Sequence, residues 1–424
     1  MASGLYAELV AEGKLVALEE NSTGLVPELK HELYKIYKAE AIPFISYPGE
    51  WSFSQLKKAA LLTLYIQRRA IEKDFCLKDA SAYNVQFIGN RAVFIDSLSI
   101  DVYNEREPWQ AYGQFCRHFL APLLLDAYGV PEAHCFFLNH IDGLPLDVCS
   151  KLLPWKSRLS LLAYTHIHLH ARLEKNHAGD RVLNLKNYQY SKKKLLSLIT
   201  HLELGIKGLK NKKTASNWTD YYTSNSYDRE SFEAKQNFVN RHCENIKGKL
   251  CLDLGANSGV FSFIAANHFE QVLACDSDAS VLQNIRSKKK PNVLSLQLDL
   301  NNPTPAYGWH SKERKSFIER AGHNDLTLAL ALVHHLCISN NLPLPLLADF
   351  FGSVAKTLLI EFVPKEDEQV KKLLVSRKDV FDDYTSLHFE KAFLKYYEKA
   401  DELQLPGSGR ILYLFKRKPD YAKA

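Results

Sequence analysis

Between residues 250 and 299 three short apolar runs each end in an aspartate. The first lies in KLCLDLGANSGVF, where Asp253 precedes a turn carrying Gly255 and Gly259. The second, QVLACD, ends at Asp276, and the third, NVLSLQLD, at Asp299. Short apolar runs bounded by turn residues read as buried strands. Strands alternating with helices imply a parallel sheet wound on both faces, and right-handed crossovers leave it few topologies. A single aspartate after a strand is ordinary helix capping. Three in succession mark the crevice beyond the carboxyl ends of the strands, where open α/β sheets bind ligands.

Further runs extend this sheet. DLTLALALVH (325–334) reads as a long buried strand, KTLLIEFV (356–363) as the next and RILYLFK (410–416) as a late one. Helices are expected around 259–267, 279–287 and 344–353. The C-terminal half is therefore expected to be α/β, doubly wound and Rossmann-like.

The turn reads acid-x-Gly-x-x-x-Gly, not the G-x-G-x-x-G of dinucleotide sites. A pyrophosphate needs the helix N-terminus close to two phosphates, whereas a ligand without phosphate tolerates a looser turn. The pattern resembles the first motif of class I S-adenosylmethionine (SAM)-dependent methyltransferases. That resemblance implies SAM as cofactor, with Asp253, Gly255, Ala256, Asn257 and Gly259 around it and Asp253 or nearby backbone groups on its ammonium. Asp276, followed by Ser277, stands about 20 residues past the turn, where nucleotide-binding sheets grip ribose hydroxyls. Asp299, followed by Leu300, is similar to the family's adenine-end carboxylate. Residues 218–235 are aromatic and polar, then helical, and Tyr227 is expected to fold over the cofactor.

Methyl transfer is an in-line displacement that aligns nucleophile, carbon and sulfur and often removes a proton from the acceptor. His334 and His335 stand at the end of the 325–333 strand and are the candidate bases, with capping and packing as their ordinary alternative. Glu361, near the end of the next run, is placed to orient substrate or histidine.

A chain of 424 residues has room for two to three domains, and 46% apolar content supports large cores. The net charge of +6 is mild, and its Lys clusters lack interleaved aromatics, so nucleic acid recognition is not indicated. Eight cysteines without C-x-x-C spacing read as buried thiols of a reducing cytoplasm. No signal peptide is expected around Glu8 and Glu12, and no apolar run is long enough to span a membrane.

The N-terminal half carries a second constellation. A Leu- and Ala-rich helical pattern at 54–73 leads into LKDASAYNVQFIGNRAVFIDSLSID. Two short strands, 83–88 and 92–95, flank Gly89 and Asn90. The order of Asp79, Asn84 and Asp96 resembles the catalytic and metal-binding loops of the protein-kinase and aminoglycoside-phosphotransferase fold. It implies Asp79 as base and Asn84 and Asp96 as Mg²⁺ ligands. The stretch before the hinge-like segment 42–51 is too short for a nucleotide-gripping lobe, and no glycine-rich phosphate loop is present. A degenerate kinase-like, mostly helical α+β domain is expected. Helical patterns follow at 107–128, interrupted by Pro122, and at 159–173. In the latter His166, His168 and His170 alternate and so do not converge on a metal; no metal site is expected. The polar, Lys-rich stretch 183–220 reads as linker.

Most of the chain is similar to the nodulation-type (NoeA-like) class I methyltransferases, through stretches such as EWSFSQLKKAALL, WQAYGQFCRHFLAPL, LALALVHHL and IEFVPKEDEQV. The expected organisation is a kinase-like domain over 1–182, a linker and cofactor-covering segment over 183–226 and a methyltransferase domain over 227–424. The expected activity is SAM-dependent methylation of a small-molecule acceptor. The alternative is a bifunctional or kinase-type phosphotransferase with an ATP and Mg²⁺ site. The residues leave the acceptor and the oligomeric state open.

Overall fold

The structure, a computed structural model, describes residues 4–20, 35–105, 107–130, 132–177, 191–212, 229–322, 324–375 and 378–419. Two compact units divide the chain, 1–213 and 214–424.

In the first unit, β1 (Leu18–Glu20) pairs antiparallel with β2 (Tyr37–Ala39). Helix α1 (Phe53–Glu72) begins with a reciprocal cap in which Ser52 N donates to Gln55 Oε1 at 3.0 Å. Its Leu56, Ala59, Leu64 and Ile66 are fully or almost fully buried. After β3 (Phe75–Leu77) come β4 (Val85–Ile88) and β5 (Arg91–Phe94), which form the expected hairpin with Gly89 at φ 54. Strand β6 (Ile100–Val102) returns antiparallel to β3.

The expected linker holds α2 (Lys192–Gly208). Leu195, Ile199, Leu202 and Ile206 are buried at helical spacing, and Arg68 on α1 donates to Thr200 Oγ1 and Glu203 Oε2, both at 2.9 Å. The lysines sit on the remaining faces, so composition masked an amphipathic period. Pro122 does not interrupt its helix either. A π-helical segment, Cys116–Leu120, precedes it, and the proline falls in the first turn of Ala121–Tyr128, where the i→i−4 ladder is already interrupted. A second π segment, Tyr164–Leu169, carries His166 and His168, both buried. The His166 ring bonds the Tyr112 hydroxyl at 2.6 Å and His201 at 2.9 Å, while His168 sits between Ser150 and Ser157.

The second unit begins, among the described residues, with α3 (Arg229–Ile246). Strand β7 (Gly248–Leu254) leads to α4 (Val260–Ala265), and β8 (Phe269–Asp276) to α5 (Ala279–Ser287). Then come β9 (Val293–Gln297), β10 (Leu326–Ala329), α6 (Leu344–Val354) and β11 (Thr357–Phe362). Helices α7 (Glu368–Leu374) and α8 (Ser386–Phe393) precede β12 (Tyr397–Gln404) and β13 (Ile411–Arg417). The sheet order is β12-β13-β11-β10-β7-β8-β9. Strands β7 to β11 run parallel, and β13 inserts antiparallel between β11 and β12. The chain winds outward in both directions from β7 and β10, which makes their carboxyl ends the switch point of a Rossmann-like sheet.

Two elements of this sheet differ from expectation. Strand β12 was not expected, because YEKADELQ is charged and mostly exposed, as an outer strand can be. Strand β10 stops at Ala329 instead of running to 334, since Ala331 takes the left-handed region at φ 52 and a π-helical turn, His335–Ser339, follows.

Candidate active site

The glycine turn leaves β7 where the sheet splits. Gly255 N and Ala256 N both donate to Cys275 O of β8, at 2.9 and 3.0 Å. Gly255 holds φ 74, and a Cβ there would come within 3.3 Å of Leu332. Asn257 follows at φ 45, and Gly259 caps α4 at φ 82, where a Cβ would meet Ile285 at 2.8 Å. Both glycines are required by conformation and by close approach.

Asp276 organises this turn from the neighbouring strand. Its Oδ2 accepts from Asn257 N and its Oδ1 from Asp278 N, each at 2.9 Å. A carboxylate can accept more bonds than these, which leaves capacity for a ligand. Burial raises its carboxyl above the ordinary value against these bonds. Asp299 is exposed, and its Oδ1 accepts from Asn301 N at 2.9 Å.

These residues enclose a cavity of about 310 Å³. Gly255, Asn257, Asp276, Ser277, Asp299 and Leu300 line one side, and Leu330, Ala331, Leu332 and His335 the other. Leu373 of α7 also lines the cavity. Three expected cofactor residues stand behind the lining. Asp253 accepts from Ser262 Oγ at 2.5 Å, and burial pushes its carboxyl up to about 7. Ala256 is buried, and Gly259 serves the helix start. Tyr227 lies outside the described residues.

The histidine pair separates. His335 lines the cavity, and burial pushes its imidazole down to about 4, so the ring is neutral at pH 7. His334 does not line it. Its ring is fully buried, both nitrogens lack a hydrogen-bond partner, and burial next to His335 holds it well below the ordinary value. The sequence offered no signal for this split, since a helix starting at this point sends adjacent side chains in different directions.

The sequence reading named Glu361 but missed the buried partners that hold it. Glu361, fully buried, accepts from Lys235 Nζ at 2.5 Å and from Ala331 N at 2.8 Å, both through Oε2. Arg410 Nη1 stands 3.5 Å from Glu361 Oε1, and Arg410 Nε donates to Asp367 Oδ2 at 2.7 Å. Lys235 and Arg410 each lie in unremarkable local sequence.

No family model matches the chain. The nodulation protein NoeA of Rhizobium meliloti (strain 1021) is 34% identical over 426 residues, covering 98% of this chain and 89% of that protein. The chain belongs to the NoeA family. Solved structures similar to part of this NoeA-family chain include the N-methyltransferase NodS of Bradyrhizobium japonicum WM9. It is 12% identical, over 45% of this chain and 98% of NodS, with a TM-score of 0.34. A putative S-adenosylmethionine-dependent methyltransferase of Listeria monocytogenes is 13% identical over 45% of this chain and all of its own length, with a TM-score of 0.33.

In the first unit of this NoeA-family chain, Asp79, Asn84 and Asp96 surround the β4–β5 hairpin. Asp79 Oδ1 accepts from Ser81 N at 2.8 Å, and Asp96 Oδ1 from Leu98 N at 3.0 Å. The Asn84 amide nitrogen is buried without a hydrogen-bond partner. Among the described residues no group of three or more His, Cys, Asp or Glu side chains is placed to hold a metal ion, and no helix is long and apolar enough to cross a membrane.

Proposed function

We propose that the second unit binds SAM in the crevice between β7, β8 and β10 and methylates a small-molecule acceptor. The observation that carries this reading is the cavity itself. Its one wall gathers the glycine turn, Asp276 and Asp299 from three successive strand ends, and its other wall presents His335. The donor set fits the cofactor. A side chain at Gly255 would press on the opposite wall, and Asp276 has acceptor capacity left at the ribose end. The parallel sheet with one antiparallel insertion supports the class I assignment, as does membership of the NoeA family.

SAM, when bound, supplies an electrophilic methyl group on a positively charged sulfur. Asp276 holds ribose hydroxyls through charge-assisted hydrogen bonds. Asp299 takes the adenine end, and backbone groups of 255–257 face the amino-acid tail. His335 is neutral at working pH and accepts the proton that a hydroxyl acceptor gives up as its oxygen becomes the nucleophile. Apolar Leu330, Leu332 and Leu336 line the cavity around that reaction.

The test is calorimetry of the full chain with S-adenosylhomocysteine, followed by incubation of metabolite extracts with methyl-labelled SAM. Binding in the micromolar range and label transfer that His335→Ala abolishes are expected. Absence of binding by wild type would overturn the reading. A second reading, ATP- and Mg²⁺-dependent phosphotransfer in the first unit, has one observation in its favour, the unpartnered Asn84 amide nitrogen. Mg²⁺-dependent ATP turnover that disappears in Asp79→Asn would establish it.

A further inference from the structure

We propose that Glu361 is the positioning residue of the crevice and that Lys235 is its neutralising partner, an inference that rests on the cofactor reading above. Two parts of the cavity lining hang from this one carboxylate. The first is the turn 330–332. Ala331 has a side chain and yet occupies the left-handed region, which costs free energy unless the surroundings impose it. The imposing contact is the bond from Ala331 N to Glu361 Oε2 at 2.8 Å. It stops β10 short and turns the chain so that Leu332 meets Gly255 and His335 enters the lining.

The second is Leu373 of α7. Arg410 bridges Glu361 Oε1 at 3.5 Å and Asp367, which it grips through Nε at 2.7 Å and Nη2 at 3.1 Å. Asp367 is also the N-cap of α7, accepting from Gln369 N at 2.9 Å, and α7 carries Leu373 to the lining. One chain of charges therefore joins α3, the end of β11, the start of β13 and α7. Lys235, Glu361 and Arg410 are each at most 2% exposed, so the medium around them strengthens the contacts and makes an uncompensated charge costly. Lys235 and Glu361 do not line the cavity, which makes their effect on ligand affinity indirect.

Two neutral double variants separate positioning from mere stability. Both remove the buried charge pair, so neither strands a lone ion. K235M/E361Q keeps an acceptor for Ala331 N, and K235M/E361L does not. Two readouts are taken: S-adenosylhomocysteine affinity by calorimetry, and backbone amide exchange over 330–336 in the unliganded full chain. The Gln variant is expected to bind within about threefold of wild type, and the Leu variant about tenfold or more weakly, the loss of one hydrogen bond that orders the wall. Exchange over 330–336 should rise in the Leu variant alone. Equal affinities and equal exchange in two folded variants would overturn the proposal. If wild type binds no S-adenosylhomocysteine, the cofactor reading fails, and the exchange arm still decides whether Glu361 holds the turn.

Discussion

At the scale of single residues, Asp276 has two duties. Its carboxylate ties the glycine turn to the next strand, and it lines the cavity where ribose hydroxyls are assigned. Asp276→Ala is expected to weaken S-adenosylhomocysteine binding by roughly 1.5–3 kcal/mol, the scale of a hydrogen bond to a charged group. Calorimetry giving the wild-type affinity in a folded variant would remove the ribose assignment. His335 carries a pH expectation. As a base it works deprotonated, so activity falls as pH drops through its own value of about 4, not through the ordinary histidine range. The acid limb of kcat/KM should therefore be absent between pH 6 and 8, and a limb centred near 6.5 would exclude His335 as the base. The aspartates and glycines of this site could be read from sequence because their chemistry is local: a strand end, a turn, an acid. The separation of His334 from His335 could not, because it follows from the turn at Ala331, whose amide is held by Glu361, 30 residues further along the chain.

At the scale of elements, the same contrast recurs. The parallel strands announced themselves as apolar runs, since each is buried on both faces. Helix α2 hid within a Lys-rich stretch because its apolar stripe is only one residue in three or four. That stripe makes a definite expectation. Ile199 is fully buried, and Ile199→Ala should destabilise the first unit by about 2–5 kcal/mol in urea denaturation. A change below about 0.5 kcal/mol, the surface-site range, would mean that α2 does not pack as described. Lys235 offers the matching experiment in α3. Lys235→Met alone leaves Glu361 buried beside only one cation, and breaking such a pair from one side costs about 3–5 kcal/mol. The double variant with Glu361→Gln should recover most of that loss, and a single variant as stable as wild type would show that Arg410 suffices.

At the scale of the whole molecule, histidines are buried neutral in both units. Burial pushes His118, His166 and His335 down to about 4. In the unfolded chain they titrate near 6.5, so between these values the unfolded state binds more protons. Stability is then fully present above about 6.5 and declines as pH falls towards 4, by up to about 3 kcal/mol per histidine. The Asp253 carboxyl, pushed up to about 7, gains stability over the same range, so the histidine effect is read in an Asp253→Asn variant, whose melting temperature should fall from pH 7 to 4.5; a flat profile there would mean that these rings reach water.

The outermost strand on one side of the large sheet carries a further meaning. β12 covers β13, whose ILYLF core would otherwise offer its backbone to any passing chain. β12 itself is a poor template. Lys399 pairs with Glu390 and Glu402, Asp401 with Arg241 and His242, and the register slips between Lys399 and Asp401. Charge and an irregular ladder together discourage edge-to-edge growth. The residues that looked least like a strand thus act as gatekeepers against aggregation, a guard on the exposed flank of the large sheet while it folds and after.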